Sequence, residues 1–352
     1  MSALAAIGSD ANRGLKPLAL TMGDPAGIGP EIVVKALASQ PSMLQHVVVV
    51  GDWAVMQRAQ EQCATALPMV RLSPETWDGG ALADGVLHVV QTSDLEPLPV
   101  WGQVQASAGQ AAAQAIEWAA RAALQGRVSA VVTAPIHKEA LHAAGYNYPG
   151  HTEMLQALAA QHAGLPIAHM PVRMMLSNRE LRTVLVSIHV SLRQAIEAVT
   201  VDNVSETLAI VQAHALRGGW PRCRIAVAGL NPHAGEGGLM GEEERTIIEP
   251  AVRRAQQAGL DVHGPFAPDT IFMRARQGEF DVVVAMYHDQ GLIPVKYMGL
   301  SEGVNTTLGL PFVRTSPDHG TAFDLAGTGR ADPSSLMAAI GAALNGHQLT
   351  RV

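Results

Sequence analysis

The chain has 352 residues, of which 48% are hydrophobic and 16% charged, so it is long enough for one large buried core or two ordinary ones. A formal net charge of −7 and the lack of any Lys/Arg-rich run argue against nucleic-acid and anionic-membrane partners. Only Cys63 and Cys223 are present, in no CxxC pattern, which argues against a disulfide framework and a thiolate metal site.

Residues 1–15 contain no cationic segment followed by a long apolar core, and no stretch reaches the roughly 18 apolar residues of a membrane span. We therefore expect a flexible N-terminal tail over residues 1–15. The rest of the chain is expected to form a cytoplasmic protein whose partners are small molecules.

In chain order, short apolar runs alternate with longer amphipathic stretches. Strands are predicted over residues 16–24, 46–52, 128–135, 181–190, 224–233 and 281–289. Helices are predicted over residues 29–40, 108–126, 193–216 and 242–259. This alternation of Val-rich strands with helices predicts an α/β fold whose sheet is parallel or mostly parallel and is covered by helices on both faces.

The first predicted strand runs into TMGDPAGIGPE (21–31), a Gly- and Pro-rich loop that opens a helix. Such a loop can present backbone N–H groups to an anion. It is neither GxGxxG nor a P-loop, so the dinucleotide fingerprint is absent. Asp52, which ends HVVVVGD, is interpreted as a helix cap or turn residue in preference to a ribose-binding acid.

Three predicted strands lead into a histidine: His189 after TVLVSI, His233 in AVAGLNPH and His288 after VVVAMY. A single such residue is usually structural, but ligands of open α/β sheets bind beyond the carboxyl ends of the strands. If these strands are neighbours, three neutral imidazoles with an open position match a catalytic divalent-metal site. Asp289 is then a further ligand, a residue that orients an imidazole, or a turn residue.

Two other segments concentrate polar residues. In GHTE, either His151 or Thr152 faces a cleft at the start of a helix, although a capping role alone would also explain the sequence. Residues 294–327 contain a cation and amide set that suits a phosphate or carboxylate clamp, namely Lys296, Asn305 and Arg314. Taken singly, Lys296 would be a solvated surface residue.

Six segments resemble, in order and spacing, the 4-hydroxythreonine-4-phosphate dehydrogenase (PdxA) family of pyridoxal-phosphate biosynthesis. They are MGDPAGIGPE, TAPIHK, GHTE, GLNPHAGEGG, AMYHDQG and GVNTTLGLPFVRTSPDHGTAFDLAG. The resemblance covers about residues 16–345 and implies an NAD- or NADP-dependent homodimer with one divalent metal per subunit, either zinc, magnesium or cobalt. Three histidines suit zinc better than magnesium.

The resemblance also implies two α/β domains flanking a cleft, similar to the isocitrate and isopropylmalate dehydrogenases. We expect the first domain to comprise residues 16–145 plus 324–352. The second, over residues 146–323, would carry the metal site and the dimer interface, with the active site near that interface.

Carried over to this sequence, the family's metal ligands fall on His189, His233 and His288. Its substrate contacts fall on His151, Thr152, Lys296, Asn305 and Arg314. Lys138 and Asp269 are weaker site candidates. The general base is left open between Lys138, Asp289 and a metal-bound water.

The implied reaction oxidises C3 of 4-phosphooxy-L-threonine and releases CO2, leaving 3-amino-2-oxopropyl phosphate. One alternative is a dehydrogenase of a related four-carbon phosphosugar acid, of the 4-phosphoerythronate type. Another, from a different class, is a metal-dependent hydrolase or lyase that uses the histidines to activate water and needs no nicotinamide.

Overall fold

The computed structural model describes residues 16–299 and 302–344, so the expected tail over residues 1–15 lies outside the described residues. The chain divides into two compact units. The first comprises residues 16–151 with 321–331, and the second residues 152–320 with 332–344. Within the described residues, no helix is long and apolar enough to cross a membrane.

The first unit is a parallel sheet with helices. Its strands are β1 (Leu18–Thr21), β2 (Val47–Gly51), β3 (Met69–Leu72), β4 (Leu87–Gln91) and β5 (Ala130–Thr133). Its helices are α1 (Gly29–Ser39), α2 (Trp53–Gln62), α3 (Ala106–Leu124) and α4 (Lys138–Ala143). The strand order is β3-β4-β2-β1-β5, and each neighbouring pair is parallel. Every residue of β1, β2 and β5 is buried, as expected for central strands covered on both faces.

The second unit contains a mixed sheet. Its strands are β6 (Arg173–Ser177), β7 (Arg182–Leu185), β8 (Ile225–Ala228), β9 (Val262–Phe266), β10 (Val282–Ala285), β11 (Val304–Leu308) and β12 (Val313–Pro317). The strand order is β12-β11-β6-β7-β10-β8-β9. Strands β7, β10, β8 and β9 are parallel, whereas β6 is antiparallel to β7 and β11, and β11 is antiparallel to β12.

The remaining helices follow α4 in the chain. They are α5 (His151–Ala163), α6 (Leu192–Ala198), α7 (Val201–Arg217), α8 (Glu249–Gln257), α9 (Ile271–Arg276), α10 (His288–Tyr297) and α11 (Ser334–Leu344). A π-helical turn over Glu244–Ile248 precedes α8, short 3-10 segments cover Pro41–His46 and Ile167–His169, and Pro232–Gly238 is a tight turn whose residues 233–237 have left-handed dihedral angles.

The apolar run of β10 is explained by helices on both faces of the second sheet. Val282 and Val284 belong to the core formed with α7 and α8, while Val283 and Ala285 belong to the core formed with α9 and α10. Successive side chains of a strand point to opposite faces, so both sets are buried and polar residues begin only where the strand ends. Each fully buried valine stabilises the fold by about 1.5–3 kcal/mol.

The predicted α/β fold with a mostly parallel sheet is confirmed, and the structure refines three elements. The helix predicted over 193–216 is two helices, because the Thr200 hydroxyl caps α7 by accepting a hydrogen bond from the Asn203 N–H at 3.2 Å. The helix predicted over 242–259 begins as a π-turn. The antiparallel strands β6, β11 and β12 were not among the predicted strands.

The C-terminal helix groups with the second unit, whereas the sequence placed residues 324–352 in the first domain. Helix α11 packs against β11 and β12. The Thr315 hydroxyl of β12 donates to the Ala339 carbonyl of α11 at 2.8 Å. These contacts with β11 and β12 tie α11 to the second unit, although residues 321–331 between β12 and α11 belong to the first.

Candidate active site

The three histidines lie beyond one edge of the second sheet. His189, His233 and His288 follow β7, β8 and β10, which are adjacent and parallel in the order β7-β10-β8. The carboxyl ends of parallel strands meet at the same edge, which is where ligands of such sheets bind. The condition that these strands are neighbours is therefore met, although each strand ends several residues before its histidine.

Two of the imidazoles are near each other. The ring centroids of His189 and His288 are 5.7 Å apart, with their planes tilted by 43°. The loops that carry them are joined by a hydrogen bond in which the Ser187 hydroxyl donates to the Met286 carbonyl at 2.9 Å. His189 has a positive φ of 50°, which points to a loop held by its surroundings.

Asp289 contacts the imidazole of His288. The Nδ1 of His288, the first residue of α10, lies 2.8 Å from Oδ1 of Asp289. An ionised carboxylate only accepts hydrogen bonds, so a neutral His288 in this contact would carry its proton on Nδ1 and present the lone pair of Nε2 to a metal. Of the three roles considered for Asp289, this geometry fits orientation of an imidazole.

Gln290 links the loop of His288 to the loop of His233. Its side-chain oxygen accepts from the Met286 N–H at 2.7 Å, and its side-chain nitrogen donates to the Gly229 carbonyl at 2.7 Å. These two bonds span the ends of the neighbouring strands β10 and β8. Gln290 thereby holds the loop after β10 and the loop after β8 in a fixed position relative to each other.

His233 lies in a strained segment. Residues 233–237 all have positive φ, which costs roughly 1–2 kcal/mol for each non-glycine residue. The His233 side chain is exposed. Within residues 16–299 and 302–344, no three His, Cys, Asp or Glu side chains are gathered closely enough to hold a metal ion.

A second polar group surrounds Arg314 in β12. Arg314 is buried and its guanidinium donates to the Thr307 hydroxyl of β11 at 3.0 Å. Burial lowers the pKa of Arg314 to about 10, while the nearby Glu153 opposes that shift, so the side chain is cationic at neutral pH. Asn305 is two residues before Thr307 on β11 and so faces the same side of the sheet. Thr152 precedes Glu153 at the start of α5.

Lys296 is not a free surface residue. Its ammonium lies 2.9 Å from Oδ2 of Asp318, and both side chains are partly shielded from solvent. Lys296 is in the last turn of α10, eight residues after His288, so the two are separated by roughly 12 Å along the helix. The structure therefore pairs this cation with a carboxylate at the other end of the helix from the imidazoles.

The remaining candidates are more dispersed. Asp269 is exposed in a turn after β9, at the same edge as the histidines because β9 runs parallel to β8. Lys138 is exposed at the start of α4 in the first unit, and His151 is the partly buried first residue of α5. Glu244 and Gln290, which hold the histidine loops, were missed by the sequence reasoning because nothing in their local sequence distinguishes them from surface residues.

In the first unit, the loop over residues 21–31 carries a buried carboxylate, Asp24. Burial raises its pKa, while the Ala26 N–H and nearby His137 oppose the shift. Asp52 accepts hydrogen bonds from the N–H groups of Ala54 and Val55 at 3.0 and 3.2 Å, which confirms its role as the cap of α2.

Both cysteines are free thiols. Burial raises the pKa of Cys63 to about 11 and that of Cys223 to about 12. Both groups are therefore in the thiol form at neutral pH and are weak nucleophiles.

Comparison with known proteins identifies the family. The sequence model of the family described as "Pyridoxal phosphate biosynthetic protein PdxA" matches residues 43–343, which is most of the chain. The chain belongs to the PdxA family. The resemblance carried by its six sequence segments is thereby confirmed.

Individual PdxA relatives align over nearly their whole lengths. A 4-hydroxythreonine-4-phosphate dehydrogenase of Beijerinckia indica is 54% identical, over 91% of this chain and 92% of that protein. A D-threonate 4-phosphate dehydrogenase of Salmonella typhimurium is 45% identical, over 92% of this chain and 97% of that protein. The crystal structure of 4-hydroxythreonine-4-phosphate dehydrogenase from Klebsiella pneumoniae superposes with a TM-score of 0.83 at 41% identity, covering 95% of this chain and all of that one.

Proposed function

We propose that this protein oxidises the C3 hydroxyl of 4-phosphooxy-L-threonine, with NAD or NADP as hydride acceptor, in pyridoxal-phosphate biosynthesis. The resulting β-keto acid loses CO2 and leaves 3-amino-2-oxopropyl phosphate. The proposal is supported by relatives named for this dehydrogenase at 43–54% identity. Those names describe dehydrogenases, so they give no support to the hydrolase or lyase alternative.

The observation that carries the proposal is the buried cation of Arg314 in the sheet that also leads to the three histidines. Arg314 of β12 lies opposite Thr307 of β11. Following the strand pairing from β11 through β6 to β7 places Arg314 level with the end of β7. It is thus displaced towards the edge from which His189 extends. Burying a cation is unfavourable, so its presence here fits the binding of an anion such as a phosphate or carboxylate.

The chemistry of the three imidazoles suits a divalent metal of zinc type, and binding would have to draw together side chains that are not gathered around one point in the described residues. Imidazole nitrogens suit zinc better than magnesium, and Asp289 leaves Nε2 of His288 available. We propose His189, His233 and His288 as the ligands. A metal held there would supply Lewis acidity towards the C3 oxygen, both for hydride loss and for decarboxylation.

The protein's own residues would bind and orient the substrate. Arg314, Asn305 and Thr152 would contact the anionic ends, with His151, Lys296 and Asp269 as further contacts. Fixing the C3 hydrogen relative to the nicotinamide contributes several kcal/mol to lowering the barrier. For the proton of the C3 hydroxyl, Lys138 and Asp289 remain the proposed acceptors.

A homodimer with the active site near its interface is also proposed. Large apolar side chains are exposed shortly after each histidine: Val190 and Leu192, Leu239 and Met240, and Ile293 and Tyr297. Leu239 is 85% exposed and Tyr297 91% exposed, which is unfavourable for a monomer and favours burial against another copy.

A second substrate is favoured by one observation, the 45% identity to a D-threonate 4-phosphate dehydrogenase. That compound is a four-carbon phosphosugar acid, the class already considered as an alternative. It carries a hydroxyl at C2 where 4-phosphooxy-L-threonine carries an amino group, so the two share the phosphate and carboxylate that Arg314 and its neighbours would bind. Turnover of each compound by the same preparation separates the two functions.

The test is a spectrophotometric assay of NADH or NADPH formation with 4-phosphooxy-L-threonine and, in parallel, D-threonate 4-phosphate. Chelated enzyme should be inactive and added zinc, magnesium or cobalt should restore activity. His288→Ala should abolish the metal-dependent activity without unfolding the protein, because it removes a ligand.

His263→Ala is the matched control, since His263 is an exposed histidine of β9 that pairs with Asp261 at 2.7 Å. It should keep the wild-type rate. Full activity in His288→Ala, or in the chelated enzyme, would refute the ligand assignment. If 4-phosphooxy-L-threonine gives no NADH or NADPH, the proposed substrate is wrong.

A further inference from the structure

The segment that carries His233 needs an external support. Its residues 233–237 are all left-handed, and three of them, His233, Ala234 and Glu236, are not glycine. Each such residue disfavours this conformation, so the segment persists only if the surroundings impose it. Because much of the segment is exposed, contacts from other parts of the chain have to hold it in this conformation.

The side chain of Glu244 provides that support. It is buried at 3% exposure in the π-helical turn before α8. Its Oε1 accepts from the backbone N–H groups of Leu230 and Asn231, each at 2.7 Å, and its Oε2 accepts from the Asn231 side-chain amide at 2.9 Å. Three hydrogen bonds from one short segment to a buried carboxylate hold the backbone directly after β8 in one conformation.

Two glycines leave room for this carboxylate. A Cβ added at Gly229 would lie 3.1 Å from Oε1 of Glu244, and one added at Gly235 would lie 2.7 Å from Oε2. Gly229 precedes His233 and Gly235 follows it, so the carboxylate sits between the two ends of the segment. π-Helical turns are rare and concentrate at functional sites, which fits a helix distorted to deliver one side chain.

We propose that Glu244 is a positioning residue for the metal site: it holds the 229–237 segment in the left-handed conformation that presents the His233 imidazole. This inference rests on the proposed function, because it takes His233 as a metal ligand. Glu244 itself contacts backbone and Asn231 and would not touch the metal or the substrate. Its removal should weaken metal binding through His233 alone.

The experiment measures zinc affinity by competition with a chromophoric chelator, together with the absorption spectrum of the cobalt-loaded full-length protein. Glu244→Ala should weaken zinc binding by at least ~10-fold, the usual effect of losing a residue that orients a ligand. Glu244→Gln, which keeps the volume and one acceptor, should lie between Glu244→Ala and the wild type. The cobalt spectrum of both variants should shift towards that of His233→Ala.

Glu243→Gln is the matched control. Glu243 is the preceding residue, and its carboxylate accepts from the Asn231 side chain at 2.7 Å, whereas the backbone N–H groups of Leu230 and Asn231 donate to Glu244. It should retain zinc affinity within about twofold of the wild type. Thermal melting of the metal-free proteins identifies any variant that has lost its fold, in which case Glu244→Gln carries the comparison.

The double variant Glu244→Gln/His233→Ala separates the possible outcomes. If Glu244 acts through His233, the double variant should bind zinc no more weakly than His233→Ala. Additive losses, or unchanged zinc affinity in both Glu244 variants, would overturn the inference. If His233→Ala itself leaves zinc affinity unchanged, the proposed metal site fails instead, which is a distinct result.

Discussion

At the scale of single residues, the proposed site depends on how neighbouring atoms hold each charged group. Arg314 is 3% exposed and still cationic at neutral pH, since its pKa of about 10 remains well above 7. Asp289 is exposed, and its carboxylate lies 2.8 Å from Nδ1 of His288, which orients that imidazole. Both residues illustrate that the chemistry follows from neighbouring atoms, which a residue type alone does not specify.

Replacement of Arg314 tests the anion-binding group. Arg314→Gln should raise the KM for the phosphorylated substrate by on the order of 10- to 100-fold, because a hydrogen bond to a charged group is worth about 1.5–3 kcal/mol. Arg314→Lys should recover only part of this loss, since an ammonium lacks the planar fork. Steady-state kinetics measure both effects.

Arg254→Gln serves as the control for that experiment, because Arg254 is an exposed residue paired with Asp202. Its KM should equal that of the wild type. An unchanged KM in Arg314→Gln would show that the guanidinium is structural.

At the scale of elements, the second sheet is fastened at the edge opposite the histidines. Arg224, just before β8, makes two side-chain hydrogen bonds to Asp281, just before β10, at 2.7 and 3.1 Å. The Arg224 N–H adds a third bond to the same carboxylate at 2.8 Å. This pair aligns the starts of the two strands whose other ends lead to His233 and His288.

Asp281→Asn should destabilise the protein by about 1–2 kcal/mol near neutral pH. Burial by itself would raise the pKa of Asp281, but the hydrogen bonds from Arg224 outweigh it and the net shift is downward. The carboxylate therefore contributes its stability above its unfolded pKa of about 3.9, and this contribution is lost as the pH falls through the lower folded pKa.

Denaturant unfolding of wild type and Asp281→Asn from pH 7 down to pH 3 checks this prediction. The gap in unfolding free energy should be constant above about pH 5 and shrink at lower pH. A gap that widens on acidification would contradict the sign. Zinc affinity should be unchanged, since the pair lies at the far edge from the imidazoles.

At the scale of the whole molecule, the exposed apolar side chains that follow the histidines in the chain are unfavourable for a monomer. Leu239 follows the left-handed segment and is 85% exposed. Tyr297 ends α10 and is 91% exposed. Their placement after the proposed ligand residues connects the proposed dimer to the proposed site.

Leu239→Asp should shift the protein from dimer towards monomer, because a charge would be buried in the apolar interface. Light scattering across a dilution series measures the shift. Leu216→Asp is the matched control: Leu216 is 55% exposed on α7 and is not one of the apolar residues that directly follow the histidines, so its replacement should leave the mass unchanged. A wild-type protein that is monomeric at all concentrations would refute the dimer.

Sequence alone predicted the α/β fold, the central strands and the family. These features are local: an apolar run such as that of β10 and a motif such as AMYHDQG can be read without knowing their neighbours. The same applies to the cap formed by Asp52, since a cap involves only the next few residues.

Tertiary structure decided what depends on residues distant in the chain. The order β7-β10-β8 brings the histidine strands together, and Glu244 imposes the left-handed segment of His233. The antiparallel strands β6, β11 and β12 and the burial of Arg314 are likewise set by pairing and packing across the sheet. These features are stabilised by contacts between segments that are distant in the chain, so a local sequence pattern does not predict them.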